Sequence, residues 1–259
     1  MRKTFNIRGI IIGEGKPKII VPIIEKDEVS IIEKANSMVH FPIDVVEWRA
    51  DAFGDVFDPQ KSMAVLRALR DIFPNKILIF SFRIQKEGGE REISSEAYTQ
   101  LNQIAAESGV VDMVDVALIS CSDVAADNIS RIHKAGVLVM GSYHNFAGTP
   151  EKAVLIRTLM KMQEMGADVS KIAVMPNTAD DLLTLLNATY ETASKYGDKP
   201  IVTTAMSPAG LLSRLAGEIF GSSMTYGAIG EATAPGQISV ELLDDVLNLL
   251  HGDHNKFRL

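Results

Sequence analysis

Ile77-Leu78-Ile79-Phe80-Ser81-Phe82-Arg83 is the stretch on which the fold turns. It is a near-continuous apolar run that closes on an arginine. Strands buried on both faces read this way, as in a parallel sheet, whereas half-solvated strands alternate. Seven further runs of the same kind flank it: Lys18–Ile24, Asp44–Asp51, Met113–Leu118, Val137–His144, Lys171–Asn177, Pro200–Met206 and Met224–Ile229. Successive runs start roughly 24 to 36 residues apart, the length of one βα unit.

Helical signals fill the gaps. Asp58-Pro59 forms an N-cap and first-turn pair, with Met63, Leu66, Leu69 and Phe73 on one face beyond it. Thr149-Pro150 predicts the same device ahead of Leu155, Leu159, Met162 and Met165, with Gly166 as a stop. Ser94–Gly109 and Val124–Ala135 also read as helical. Eight βα units favour a closed barrel over an open sheet. No linker or compositional break divides the chain, so residues 1–259 are expected to form a single (β/α)8-barrel domain. Phe5–Ile12 alternates and is expected to form a short hairpin under the barrel.

Composition narrows the function. With 46% hydrophobic and 23% charged residues the chain suits a packed globular core. A net charge of −7 argues against a nucleic-acid partner, which needs a basic surface. A lone cysteine, Cys121, excludes an internal disulfide. No apolar run is long enough to span a membrane, and the polar N-terminus lacks a secretory core, so a cytoplasmic location is expected.

In a barrel the chemistry sits at the C-terminal ends of the strands. Those ends carry Glu47 and Arg49, two residues apart and thus on one face; Arg83, with Glu87 beyond it; His144; and Arg214 and Gln237 after the last two strands. Lys171 opens the apolar run Lys-Ile-Ala-Val-Met. Singly, each has an ordinary reading: a structural ion pair, a loop-end histidine, a solvated strand flank. Together they are hard to reconcile with a packed core. A lysine among apolar neighbours and near arginines is expected to have a depressed pKa, and its neutral amine attacks ketones. A histidine near neutrality moves the proton, and arginines bind carboxylate and hydroxyl oxygens. This chemistry suits a Schiff-base lyase acting on a small keto acid or sugar phosphate. No metal-ligand spacing, GxGxxG or P-loop motif is present, and His251-Gly-Asp-His254 reads as a polar tail.

Val46-Glu47-Trp48-Arg49-Ala50-Asp51 resembles a signature of the type I 3-dehydroquinate dehydratases. So do Phe82-Arg83 with Glu87-Gly88-Gly89-Glu90, Ser142-Tyr143-His144-Asn145-Phe146, Lys171–Pro176, Ser213-Arg214-Leu-Ala-Gly-Glu218 and Ala234-Pro235-Gly236-Gln237. The resemblance runs in order from about Ile10 to His251. It implies that Lys171 forms an imine with the C3 ketone of 3-dehydroquinate, and that His144 removes the C2 proton and assists loss of the C1 hydroxyl, with Glu87 positioning the histidine. By the same likeness Glu47, Arg49 and Arg83 hold ring hydroxyls, Arg214 clamps the carboxylate, and Thr233 and Gln237 belong to a loop that closes over it. The implied product is 3-dehydroshikimate, on the shikimate route to aromatic amino acids, made by a homodimer with no metal or cofactor. Family members commonly have Glu where Ala117 stands, Met-Ser-Met at Thr204-Ala205-Met206, Gln at Asn177, Ser at Thr233 and Phe at Tyr226. The rivals are another lysine Schiff-base barrel, such as an aldolase, and a binding barrel without turnover.

Overall fold

The computed structural model describes residues 3–252. A hairpin comes first: β1 (Phe5–Ile7) runs antiparallel to β2 (Ile10–Ile12). Its two-residue turn has Arg8 and Gly9 both at positive φ, the backbone that matches strand twist in a tight hairpin. Eight parallel strands follow: β3 (Lys18–Ile23), β4 (Val45–Arg49), β5 (Ile77–Ser81), β6 (Met113–Val116), β7 (Leu138–Asn145), β8 (Val169–Val174), β9 (Ile201–Ala205) and β10 (Met224–Tyr226). Their order is β10-β3-β4-β5-β6-β7-β8-β9. The ring shuts where Ile201 bridges Ser222 and the Ser223 amide donates to the Ile201 carbonyl at 2.8 Å. The fold is a (β/α)8 barrel, as expected.

The helices between strands are α1 (Glu28–Met38), α2 (Pro59–Ile72), α3 (Ser95–Glu107), α4 (Ala125–Lys134), α5 (Lys152–Glu164), α6 (Ala179–Glu191), the short pair α7 (Leu211–Leu215) and α8 (Gly217–Phe220), and α9 (Val240–Leu250). Asp58 caps α2 by accepting from the Gln60 and Lys61 amides, with Pro59 at the first turn. The expected cap of α5 is corrected: the helix starts at Lys152 with Glu151 before it and no side-chain cap. The Thr149 hydroxyl is engaged elsewhere, donating to the Met175 carbonyl at 3.2 Å. Among the described residues no helix is long and apolar enough to cross a membrane.

Strand alternation builds two cores. Outward residues such as Val46, Trp48, Leu78, Phe80, Val114 and Ile172 pack under the helices. Inward residues Ile20, Val45, Ile77, Ile79, Met113, Met140, Val169, Val202 and Met224 fill the lower barrel, and Phe5, Ile7 and Ile10 of the hairpin pack against them. Apolar packing on both faces is why the strands lack a polar alternation in sequence. The inward positions one step higher are different: Glu47, Asp115, Ser142, Lys171, Thr204 and Tyr226.

Candidate active site

Lys171 does not open its strand. It is the third residue of β8, behind Val169 and Ser170, in register with Ser142 of β7 and Val202 of β9. Its side chain therefore lies inside the barrel and is 2% exposed. Nζ donates to Asp115 Oδ2 at 2.5 Å and to Tyr226 Oη at 3.1 Å, and Glu47 Oε1 stands 3.9 Å away. The depressed pKa expected from its apolar neighbours is corrected. Burial does pull the lysine down, but Asp115, then Tyr226 and Glu47, outweigh it and hold the group above the ordinary lysine range. The resting group is an ammonium.

His144 ends the inward face of β7, two residues above Ser142. Glu87, in the turn after β5, receives three donors. Oε2 accepts the His144 backbone amide at 3.0 Å and faces Nδ1 at 2.8 Å, while Oε1 accepts the Ser120 hydroxyl at 2.5 Å. A carboxylate at Nδ1 assigns the proton there and leaves Nε2 as the basic nitrogen toward the pocket. The titration expected of this histidine is also corrected. Burial, then Arg83, Lys171 and Arg49, push His144 well below its ordinary value, so it is neutral through the physiological range. Glu87 is the member that titrates near neutrality: burial pushes it up to about 7, against the opposing hydrogen bonds from Ser120 and the His144 amide.

The arginines divide into one that is paired and two that are not. Arg49 grips Asp51 with Nε at 2.7 Å and Nη2 at 2.8 Å, and Asp51 also accepts the Arg83 and Glu90 amides. Glu47 is not its partner, although both point inward. Neither Glu47 oxygen makes a well-formed hydrogen bond, yet Lys171, Arg83 and Arg49 outweigh burial and keep it ionised. Arg214 is buried and Arg83 half-buried, each with a buried, unpartnered Nε, and neither pairs with a carboxylate among the described residues. Arg214 donates only to the carbonyls of Tyr226 at 3.4 Å and Pro235 at 3.1 Å, and burial lowers it to about 10. Buried cations without anions are costly, and an anionic ligand relieves that cost.

One pocket gathers Glu47, Arg49, Arg83, His144, Lys171, Arg214, Thr233 and Gln237, and Glu87 stands directly behind the histidine. The nine candidate residues are thus brought together. The loop bearing Thr233 and Gln237 is folded on itself, with Gln237 Oε1 accepting from the Thr233 amide and hydroxyl at 2.8 and 2.9 Å. Its far end is pinned: the Ser207 amide donates to the Pro235 carbonyl, and a Cβ on Gly236 would meet the Ser207 carbonyl oxygen at 2.1 Å. The residues that sequence reasoning did not name as candidates are Asp115, Ser120 and Tyr226. Asp115 shares the face of Met113, whose burial sets the inward phase of β6, so its place in the site comes from the strand's phase and not from the sequence around it. Elsewhere, His251 pairs with Glu218 at 2.7 Å, while His254 lies outside the described residues. No cluster of three or more His, Cys, Asp or Glu side chains among the described residues is arranged to hold a metal ion.

The sequence model of the type I 3-dehydroquinase family matches residues 19–254. The 3-dehydroquinate dehydratase of Escherichia coli K12 is 45% identical over 249 residues, covering 96% of this chain and 99% of that protein. The type I 3-dehydroquinate dehydratase of Clostridium difficile, solved with covalently modified comenic acid, superposes with a TM-score of 0.94 at 44% identity, covering 98% of this chain and 100% of that one. The 3-dehydroquinate dehydratase of Geobacillus kaustophilus gives 0.93 at 32% identity, over 96% and 98% of the two chains. With its near-complete coverage by the family model and these relatives, the chain belongs to the type I 3-dehydroquinase family and is a hydro-lyase.

Proposed function

We propose that the chain dehydrates 3-dehydroquinate to 3-dehydroshikimate by syn elimination through an imine on Lys171. The observation that carries this reading is the convergence of a buried lysine and a neutral, carboxylate-oriented histidine on one pocket from adjacent strands. The lysine attacks the C3 ketone and water leaves. The resulting iminium draws electrons from C2 and acidifies its proton. His144 Nε2 takes that proton and returns it to the C1 hydroxyl as the C–O bond breaks. A second water then hydrolyses the imine and frees the enone product. The unpaired Arg214 suits the substrate carboxylate, with Arg49, Arg83 and Glu47 around the ring hydroxyls and the 230–237 loop as a lid. The names of the relatives support the substrate, and with it a place on the shikimate route. A cytoplasmic homodimer is the accompanying expectation, to be checked by sedimentation.

The test joins an absorbance assay for the conjugated enone to borohydride trapping with peptide mapping. The wild-type chain makes the enone and gains a reduced adduct at Lys171, and Lys171→Ala does neither. No enone, an adduct on another lysine, or undiminished turnover in Lys171→Ala would end this reading.

A further inference from the structure

Imine formation at Lys171 has to move two protons off the nitrogen. Lys171 rests as an ammonium with three N–H bonds, and the iminium keeps only one. The nitrogen attacks only after losing the first. The groups that meet Nζ are Asp115 Oδ2 at 2.5 Å, Tyr226 Oη at 3.1 Å and, beyond hydrogen-bond range, Glu47 Oε1 at 3.9 Å. Burial holds the Tyr226 phenol neutral, and a neutral hydroxyl is a poor base for an ammonium. Among the described residues Asp115 is the one carboxylate within hydrogen-bond distance of Nζ. Its other oxygen, Oδ1, accepts the Ser142 hydroxyl at 2.5 Å, which leaves Oδ2 aimed at the lysine. His144 has its Nδ1 committed to Glu87, and among the described residues the hydrogen bonds of Nζ go to Asp115 and Tyr226 and not to this histidine.

We propose that Asp115 is a further catalytic residue, the acid–base group of imine formation, and that Ser142 is its positioning residue. The proposal rests on the imine reading above. Asp115 takes one proton from the ammonium, and the freed lone pair forms the N–C3 bond as the carbonyl electrons move to oxygen. The carboxylic acid protonates that oxygen, then as carboxylate takes one proton from the new secondary ammonium. It gives this second proton to the carbinol hydroxyl, which leaves as water while the C=N bond forms. Two protons pass from nitrogen to oxygen, and no net charge changes. Asp115 ends as it began, a carboxylate paired with a cation on the same nitrogen.

Asp115→Asn keeps the size of the side chain and removes its basicity. In rapid-quench borohydride trapping with 3-dehydroquinate, its rate of imine appearance is expected to fall about 100-fold or more, within the range for one acid–base group. Deuterium at C2 should leave its turnover unchanged, because proton removal at carbon no longer limits the rate. Ser142→Ala, a milder change should the first variant misfold, is expected to slow trapping about tenfold, as loss of a hydrogen bond to a charged group does. Wild-type trapping with Asp115→Asn equally fast, or with Ser142→Ala equally fast if that is the variant that folds, overturns the proposal. Absence of trapping in the wild-type chain instead fails the imine reading itself.

Discussion

The two ends of the barrel interior are built from the same strands and obey opposite rules. At the lower end, Ile20, Val45, Ile77, Met113, Met140, Val169, Val202 and Met224 meet with no polar atom among their side chains, except the thioethers. One inward step higher, the same strands present Glu47, Asp115, Ser142, Lys171, Thr204 and Tyr226, and above these lie Arg49, Arg83 and His144. The lower layer stabilises by removing apolar surface from water. The upper layer holds buried polar atoms without partners on Glu47, Arg83 and Arg214. Such atoms weaken a fold and prepare a site: the cations stand where an anion would satisfy them.

The largest effect that separates the two ends is on stability. Ile77 is fully buried in the lower layer, so Ile77→Ala removes a well-packed side chain and leaves a cavity. The expected cost is about 2 to 5 kcal/mol of unfolding free energy. Thermal melting should fall by several degrees while kcat/KM at a permissive temperature stays at the wild-type value. A lost kcat/KM in a still-folded variant would mean that the lower layer does more than support the barrel.

At the upper end the same kind of truncation should strike binding instead. Among the described residues Arg214 makes no ion pair and only carbonyl hydrogen bonds, so little of its fork is used before ligand arrives. A hydrogen bond to a charged group is worth about 1.5 to 3 kcal/mol, so Arg214→Ala should raise KM roughly ten- to hundredfold. Lysine at this position should restore only part of it, since a single ammonium lacks the planar fork. Equal KM values for wild type and Arg214→Ala would remove this residue from the site.

A third contrast is electrostatic. The His144–Glu87 pair works as a base only when Glu87 is ionised and His144 is neutral. Since His144 is held neutral and Glu87 sits at about 7, the acid limb of kcat/KM should fall near that pH and belong to the carboxylate. Ser120 favours the ionised form by donating to Oε1. Ser120→Ala should therefore move the limb to higher pH, and a limb that stays in place would detach Ser120 from the pair. The same raised value bears on folding. Its stabilising contribution is complete below the ordinary carboxylate range and lost as pH rises through about 7.

What was legible in the sequence and what was not follows from how a barrel is wired. Eight apolar runs with spacers of one helix each were enough for the fold, because strand burial on both faces is written along the chain. Residues at the strand ends, such as Glu47, Arg83 and His144, stood out as ionic groups where a packed core has no use for them. The surroundings of Lys171 were misread because they come from across the sheet. Its sequence neighbour Ile172 faces the helices, while Asp115 reaches it from β6 and Tyr226 from β10. Two positions along β8 set its depth, and that depth turned an expected free amine into an ion-paired ammonium. Asp115 is no site candidate in the sequence for the same reason: Val-Asp-Val is unremarkable until the phase and register of β6 are known.

The smallest expected effect lies on one strand that spans both rules. On β10, Met224 faces the lower layer and Tyr226, two residues on, faces Lys171. The tyrosine acts on Nζ in two ways: its hydroxyl accepts a hydrogen bond at 3.1 Å, and its ring centroid lies 5.4 Å from the nitrogen, within cation–π range. Tyr226→Phe keeps the ring and deletes only the hydroxyl, and phenylalanine is the residue the family resemblance makes common here. One such hydrogen bond contributes about 0.5 to 1.5 kcal/mol, so kcat should change by less than about tenfold. The sign is testable as well. Tyr226 helps hold the lysine above its ordinary range, so removing its hydroxyl should let Nζ lose its proton more readily. Borohydride trapping should then reach half its maximal rate at a lower pH than in the wild-type chain. A shift to higher pH would reverse the assigned role, and a loss of two orders of magnitude would mean that the hydroxyl takes part in the chemistry instead of tuning the lysine.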